Sequence, residues 1–415
     1  MNTNRDLRNP VPEMFTLPSG LRCVCCMFPD ARVEYFGVAV DAGSRDDPAD
    51  GHGLAHFVEH TIFKGTGRRR AWHIINRMES CGGELNAYTT KESTTVYSIF
   101  PAGNLRRAAD LIADLVIDSR FPRNELDRER EVVADEISSY LDVPSDAVYD
   151  DFEDRLFDGT PLGHNILGTQ QTLACFTPEA CRRWLSDFYV ASNMVVFYSG
   201  PVDPAKVGRI VGQAFAPLSV APPANDTTVT PPGHRFRECV GMGIHQAHTI
   251  IGTTVCDMFS DDRFALSVLV NLLGGPGMNS LLNVEMRERR GLVYSVDASL
   301  SLLTDTGVMA IYFGCDPEDI GRCTRIVDKV IGRLCSTPLS DRTFERMMRQ
   351  HIGQMSVAAD NRENSILSMA RSALYRHQIG TVEQTAARLR QLTPDSLMRA
   401  ARMIAPETLS SLTFC

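Results

Sequence analysis

The sequence has no apolar run near the roughly 20 residues that a membrane-spanning helix needs. Its opening segment, MNTNRDLRNPVPEMFTLPSG, lacks the apolar core of a secretory signal. Asp6 and Glu13 in that segment argue against a transit peptide. A cytoplasmic location is expected from both. Basic runs are scarce as well. Arg68-Arg69-Arg70 stands alone in a chain of net charge −9, too little for a nucleic-acid footprint. The glycine-rich stretch GGPGMNS has no Gly-Lys-Ser/Thr after it, so it is no phosphate loop. The 12 cysteines do not have the spacing of a disulfide framework in a chain of this size, and Cys23, Cys25 and Cys26 crowd one strand. Reduced, mostly buried thiols are expected.

At 415 residues the chain is too long for one ordinary core. PLSVAPPANDTTVTPPG, rich in proline and without helical periodicity, marks a linker at 217–234. Domains at 1–216 and 235–415 result from it. EYFGVAVDAG, TTVYSIFP, HTIIGTTV and GVMAIYFGC look like strands. NLRRAADLIADLVIDS, NELDREREVVADEISSYL, PEACRRWLSDFY, DDRFALSVLVNLL, DIGRCTRIVDKVIGRL and DRTFERMMRQHIGQM look like amphipathic helices. Both halves run strand, helix, strand, several helices. The expected class is α+β, with two related domains, each a mixed sheet covered by helices.

What is there, and unusual, is DGHGLAHFVEHTIFKGT at 50–66. His56 and His60 are four apart, so on a helix they share one face. Glu59 falls about 60° round from His56 at about 100° per residue. Two imidazoles could grip one ion while the carboxylate works on a water beside it, as zinc hydrolysis needs. The order His-x-x-Glu-His is the inverse of the commoner zinc signature. The alternative is a buried helix with hydrogen-bonded histidines. His52 is also four residues from His56, but the flanking Gly51 and Gly53 place it at the frayed helix start, as a structural residue or one lying behind the metal ligands.

A catalytic zinc wants a third protein ligand. NELDREREVVADEISSYLD offers candidates, with Pro122 before the helix and Asn124 as its expected cap. Its apolar stripe runs through Leu126, Val133, Ile137 and Tyr140. Glu129 and Glu136 fall beside that stripe, while Glu131 and Asp135 point away. Two carboxylates seven residues apart are therefore expected to face inwards. They could meet a cation or form a salt-bridged helix edge.

GLAHFVEHTIFKGT resembles the zinc peptidases of the pitrilysin, insulin-degrading enzyme and mitochondrial processing peptidase family. In that family the third ligand is a Glu about 76 residues after the second His, which implies Glu136. A further Glu seven residues earlier is needed for activity, which implies Glu129, orienting His56 or the metal-site helix. GGELNAYTTKESTTVYSIF resembles the segment whose edge strand, at Asn86 and Ala87, pairs with extended substrate. LLGGPGMNSLLNVEMRERRGLVYSV resembles the segment with a substrate-binding Arg and Tyr, here Arg287 and Tyr294. The likeness is greatest over 36–200 and 271–296. One departure is Leu281, where family members usually carry Arg.

The resemblance implies a zinc endopeptidase for short or unfolded peptides. One Zn²⁺ per chain is held by His56, His60 and Glu136, with Glu59 as the base. It also implies a working unit like a clamshell of four domains, of which this chain supplies two. A homodimer is the simplest assembly, a heterodimer the other. The rival reading is a non-catalytic core or peptide-holding subunit, which typically loses one or more residues of the motif. This chain retains them all.

Overall fold

In the computed structural model, residues 11–225, 230 and 233–415 are described. The expected linker therefore falls partly outside the described residues, at 226–229 and 231–232. The rest of it has no helix or strand.

Two compact units are present. The first has a six-stranded mixed sheet. Its strands are β1 (Glu13–Thr16), β2 (Arg22–Met27), β3 (Val33–Val40), β4 (Glu84–Thr89), β5 (Thr94–Pro101) and β6 (Met194–Gly200), in the order β1-β2-β6-β3-β5-β4. Only β2 and β6 pair in parallel. The second has β7 (Arg237–Val240), β8 (Ala247–Val255), β9 (Val293–Leu302), β10 (Gly307–Cys315) and β11 (Ser410–Phe414), in the order β7-β11-β8-β10-β9. The four long strands read from the sequence are β3, β5, β8 and β10. Each expected helix is also present.

Both faces of the first sheet are buried, which is why its central strands read as nearly unbroken apolar runs. Cys23 and Cys25 of β2 face one core cluster, and Val24 and Cys26 face another. The side-chain period of two thus puts three thiols in two cores, where burial pushes each of them up from the ordinary thiol value.

The units do not follow the chain order that the linker implies. The first combines Met1–Ile137, Ile166–Thr227 and Ala358–Thr381. Its second core cluster is closed by Ile366, Ala370, Ala373 and Leu374, from the helix Arg362–Arg376. The second unit takes Ser138–Asn165 from before the linker, and Val148, Phe152 and Leu156 pack there under Ile250, Ala310 and Leu412. Hydrophobic periodicity shows that a helix has an apolar face. It carries no information on which sheet that face covers.

The first three α-helices in chain order belong to the first unit, α1 (Leu54–Thr61), α2 (Ala71–Glu79) and α3 (Leu105–Asp118), and α4 (Arg123–Leu141) belongs to it as far as Ile137. The start of α1 depends on Gly53, whose φ of 97° is left-handed. A Cβ there would also stand 2.6 Å from the Leu167 carbonyl oxygen. His52 lies outside the helix, and its carbonyl accepts from the Thr172 hydroxyl at 2.7 Å. The cap is supplied from outside the motif. The two oxygens of Asp47 accept from Gly53 N–H at 2.7 Å and Ala55 N–H at 2.8 Å. A carboxylate at a helix N-terminus both satisfies free donors and complements the dipole. Asp47→Ala should lower unfolding stability by about 1–2 kcal/mol, with Asp47→Asn losing less. Urea melts followed by circular dichroism check this, and an unchanged midpoint for the alanine variant would contradict it.

Candidate metal centre

On α1 one face goes to the core and another to the site. Leu54, Ala55, Phe57 and Val58 are buried in the first cluster. His56 and His60 turn the other way, their rings 4.5 Å apart between centroids and edge to face. α4 begins at Arg123, one residue before the expected cap. Asn124 reaches the Glu125 carboxylate instead of capping, and the first turn is closed by Glu125 and Leu126 N–H on the Pro122 carbonyl. Pro122 has no N–H to satisfy and ends the preceding loop, so it sets the start instead of the side-chain cap.

The wheel on α4 sorts the carboxylates as expected in direction. Glu131 and Asp135 are exposed on the far side, and Glu129 is buried. Glu136 is not buried: 43% of its side chain is exposed, so it approaches the histidines from the open side. It lies 3.8 Å from His56 Nε2 and 3.2 Å from His60 Nε2. His56, His60 and Glu136 offer ligand atoms that all lie within 4.8 Å of one another. Ligands around a tetrahedral zinc at its usual bond lengths stand about 3.3–3.6 Å apart.

The chemistry of this set calls for a cation. His56 is pulled down to about 3 by burial and then by the neighbouring His60, which favours a neutral imidazole with a lone pair free for a metal. Burial also pulls His60 down, but its hydrogen bond to Glu129 and the charges of Glu136 and Glu59 outweigh that and raise it. The surrounding carboxylates thus favour positive charge at His60, and a divalent ion bound there would supply it. Two imidazole nitrogens and one carboxylate oxygen suit zinc.

Glu129 is expected to orient His56 or the helix that carries it, as carboxylates behind a metal ligand often do. The structure puts it on His60, with Nδ1 3.1 Å from its Oε1. Its other oxygen lies 2.6 Å from Lys64 Nζ. Burial pushes the Glu129 carboxyl up, and the hydrogen bonds from His60 and Lys64 overcome this and hold it below the ordinary range. Removing one partner from such a buried pair typically costs roughly 3–5 kcal/mol.

Glu59 is half-buried beside the trio. Burial pushes its carboxyl up, against a 2.6 Å hydrogen bond from the Thr89 hydroxyl and a second from the Thr89 backbone. Thr89 ends β4, and β4 is an edge of the first sheet, paired only with β5. Asn86 and Ala87 are on that strand, with one side of its backbone unpaired in the sheet.

Arg287 and Tyr294 belong to the second unit and are not among the residues gathered at the metal centre. Arg287 is exposed in the helical turn Asn283–Glu288. Tyr294 is 64% exposed near the start of the edge strand β9 and donates to Asp316 at 3.2 Å. Leu281 packs against the second unit's core. The apolar residue at this partly buried position takes up packing.

Asp47, Lys64 and Thr89 join the site without having been expected from the sequence. Lys64 had a signal, since it continues the four-residue spacing of His56 and His60. Thr89 and Asp47 meet α1 only through space.

Residues 28–170 match the family described as insulinase, peptidase family M16, and residues 176–351 match the peptidase M16 inactive domain. An uncharacterized zinc protease of Streptomyces coelicolor is 33% identical, over 93% of this chain and 86% of its own length. A probable mitochondrial-processing peptidase subunit beta of Arabidopsis thaliana is 30% identical over 74% of this chain and 60% of its own. The crystal structure of a peptidase M16 inactive domain from Pseudomonas fluorescens superposes with a TM-score of 0.90 at 16% identity, covering 97% of both chains. A protease from Helicobacter pylori superposes at 0.88 and 20% identity, covering 98% of this chain and 99% of that one. At these identities the structures show a shared fold.

Glu136→Gln should weaken zinc binding by more than about 100-fold, beyond the usual effect of residues behind the ligands. Glu131→Gln should leave it unchanged. Competition with a chromophoric chelator measures both, and equal effects would contradict the assignment.

Proposed function

The chain belongs to the insulinase family of peptidases, family M16, and on that premise we propose that it is a zinc-dependent endopeptidase acting on short or unfolded peptides. One observation carries the proposal: two imidazoles of α1 and a carboxylate of α4 converge within 4.8 Å beside the half-buried Glu59. His56, His60 and Glu136 would hold the ion. Bound Zn²⁺ supplies Lewis acidity, polarising a peptide carbonyl and making a nearby water acidic enough to attack near neutral pH.

The chain's own residues supply the rest. Glu59 takes the proton from the attacking water and returns it to the leaving amine. Thr89 fixes the orientation of that carboxylate through its hydroxyl and its N–H. Burial raises the affinity of Glu59 for a proton, which suits a group that must accept one and release it again. Glu129 keeps the His60 ring turned so that Nε2 faces the ion. The free edge of β4 around Asn86 and Ala87 takes an extended peptide by main-chain hydrogen bonds, so selectivity for sequence is modest.

Arg287 and Tyr294 fit a second role, binding substrate carbonyls or a developing oxyanion. The proposed assembly is a homodimer. The support for both is the family likeness and the exposure of the two side chains.

Glu59→Gln should reduce cleavage of a quenched fluorescent peptide by about 10²–10⁴-fold or more while zinc content stays at one ion per chain. Cleavage at the wild-type rate by this variant would refute the assigned base. Loss of zinc along with activity would show that Glu59 acts on the metal instead of the proton.

A further inference from the structure

Along α1 and the helical turn that continues it, His56, His60 and Lys64 recur every fourth residue. Along α4, Glu129 and Glu136 are seven apart. The pairs connect in crossed order. Glu136 meets His56 and His60, and Glu129 meets His60 and Lys64. The two elements therefore run in opposite directions. Helical rise separates the two carboxylates by about 10.5 Å, and the His-His-Lys row, which ends in a tighter 3-10 turn of greater rise, is somewhat longer. Lys64 ends the row away from the proposed metal.

We propose that Lys64 is a positioning residue of the metal centre, holding Glu129 in place so that His60 keeps its proton on Nδ1 and offers Nε2 to the ion. This rests on the reading of His56, His60 and Glu136 as zinc ligands.

Three observations support it. Lys64 is nearer to Glu129 than His60 is, at 2.6 Å against 3.1 Å, and uses the opposite carboxylate oxygen. The Glu129 side chain is only 9% exposed, so this is no solvated surface pair of little consequence. A buried carboxylate whose second oxygen loses its cation turns or draws in water, and either movement releases the His60 ring. His56 has no equivalent support, because its buried Nδ1 meets no hydrogen-bonding group among the described residues. Of the two histidines, His60 is therefore the one oriented through a hydrogen bond, from its Nδ1 to Glu129, which Lys64 also contacts. Residues behind a metal ligand typically change affinity about 10–100-fold.

The test is zinc affinity of the full chain, by chelator competition, independent of peptidase activity. Lys64→Met keeps the aliphatic stem and removes the charge. It should weaken zinc binding at least about 10-fold, and Lys64→Arg should recover most of the loss. Adding Lys64→Met to Glu129→Gln should cost little more than Glu129→Gln alone, because Lys64 acts through Glu129. This comparison also serves if Lys64→Met by itself folds poorly, since the double variant leaves no unpaired buried charge. Wild-type affinity in Lys64→Met, no recovery with arginine, or additive losses in the double variant would each overturn the proposal. A wild-type chain that takes up no zinc would instead overturn the metal site itself.

Discussion

Three Lewis-basic atoms that face one another cannot stay together in a partly buried site without positive charge among them. His56 Nε2, His60 Nε2 and the Glu136 carboxylate are in that position. Everything else at the site depends on how this demand is met. Glu136 on one side of His60 and Glu129 on the other favour positive charge there. A bound zinc would supply it.

The scaffold keeps this arrangement rigid by burying the opposite face of each contributing element. Phe57 and Val58 behind the histidines, and Leu126 and Val133 behind the carboxylates, belong to one core cluster. A ligand that moved would have to move part of a packed core, which is costly at native density. Glu59 is treated differently. It is tied to the last residue of the edge strand β4, the strand proposed to receive the peptide. Placing the base and the substrate on the same strand end makes their relative position a property of the sheet. Proximity of this kind is a large part of catalysis.

Much of the site was legible because helices impose a period. His56, Glu59 and His60 lie within five residues, and the wheel alone selects Glu129 and Glu136 over Glu131 and Asp135. The family likeness reaches the same pair of glutamates. The exposure of Glu136 was not legible, since a wheel gives direction but not the depth of the neighbouring surface. Nor was the start of α4, where Pro122 outweighs the expected Asn124 cap. Asp47 and Thr89 act across loops and strand ends, for which the sequence has no period. The exchange of covering segments at 138–165 and 358–381 was hidden for a related reason. Apolar faces are interchangeable in a hydrophobicity pattern, and only the folded sheets decide which one each helix covers.

The central claim is the identity of the ligands, and anomalous diffraction from zinc-loaded crystals, recorded on both sides of the zinc absorption edge, tests it most directly. One anomalous peak per chain is predicted, about 2.0–2.2 Å from His56 Nε2, His60 Nε2 and a Glu136 oxygen. A peak bound by other side chains, or full-occupancy zinc that leaves Glu136 out of its coordination sphere, would contradict the account.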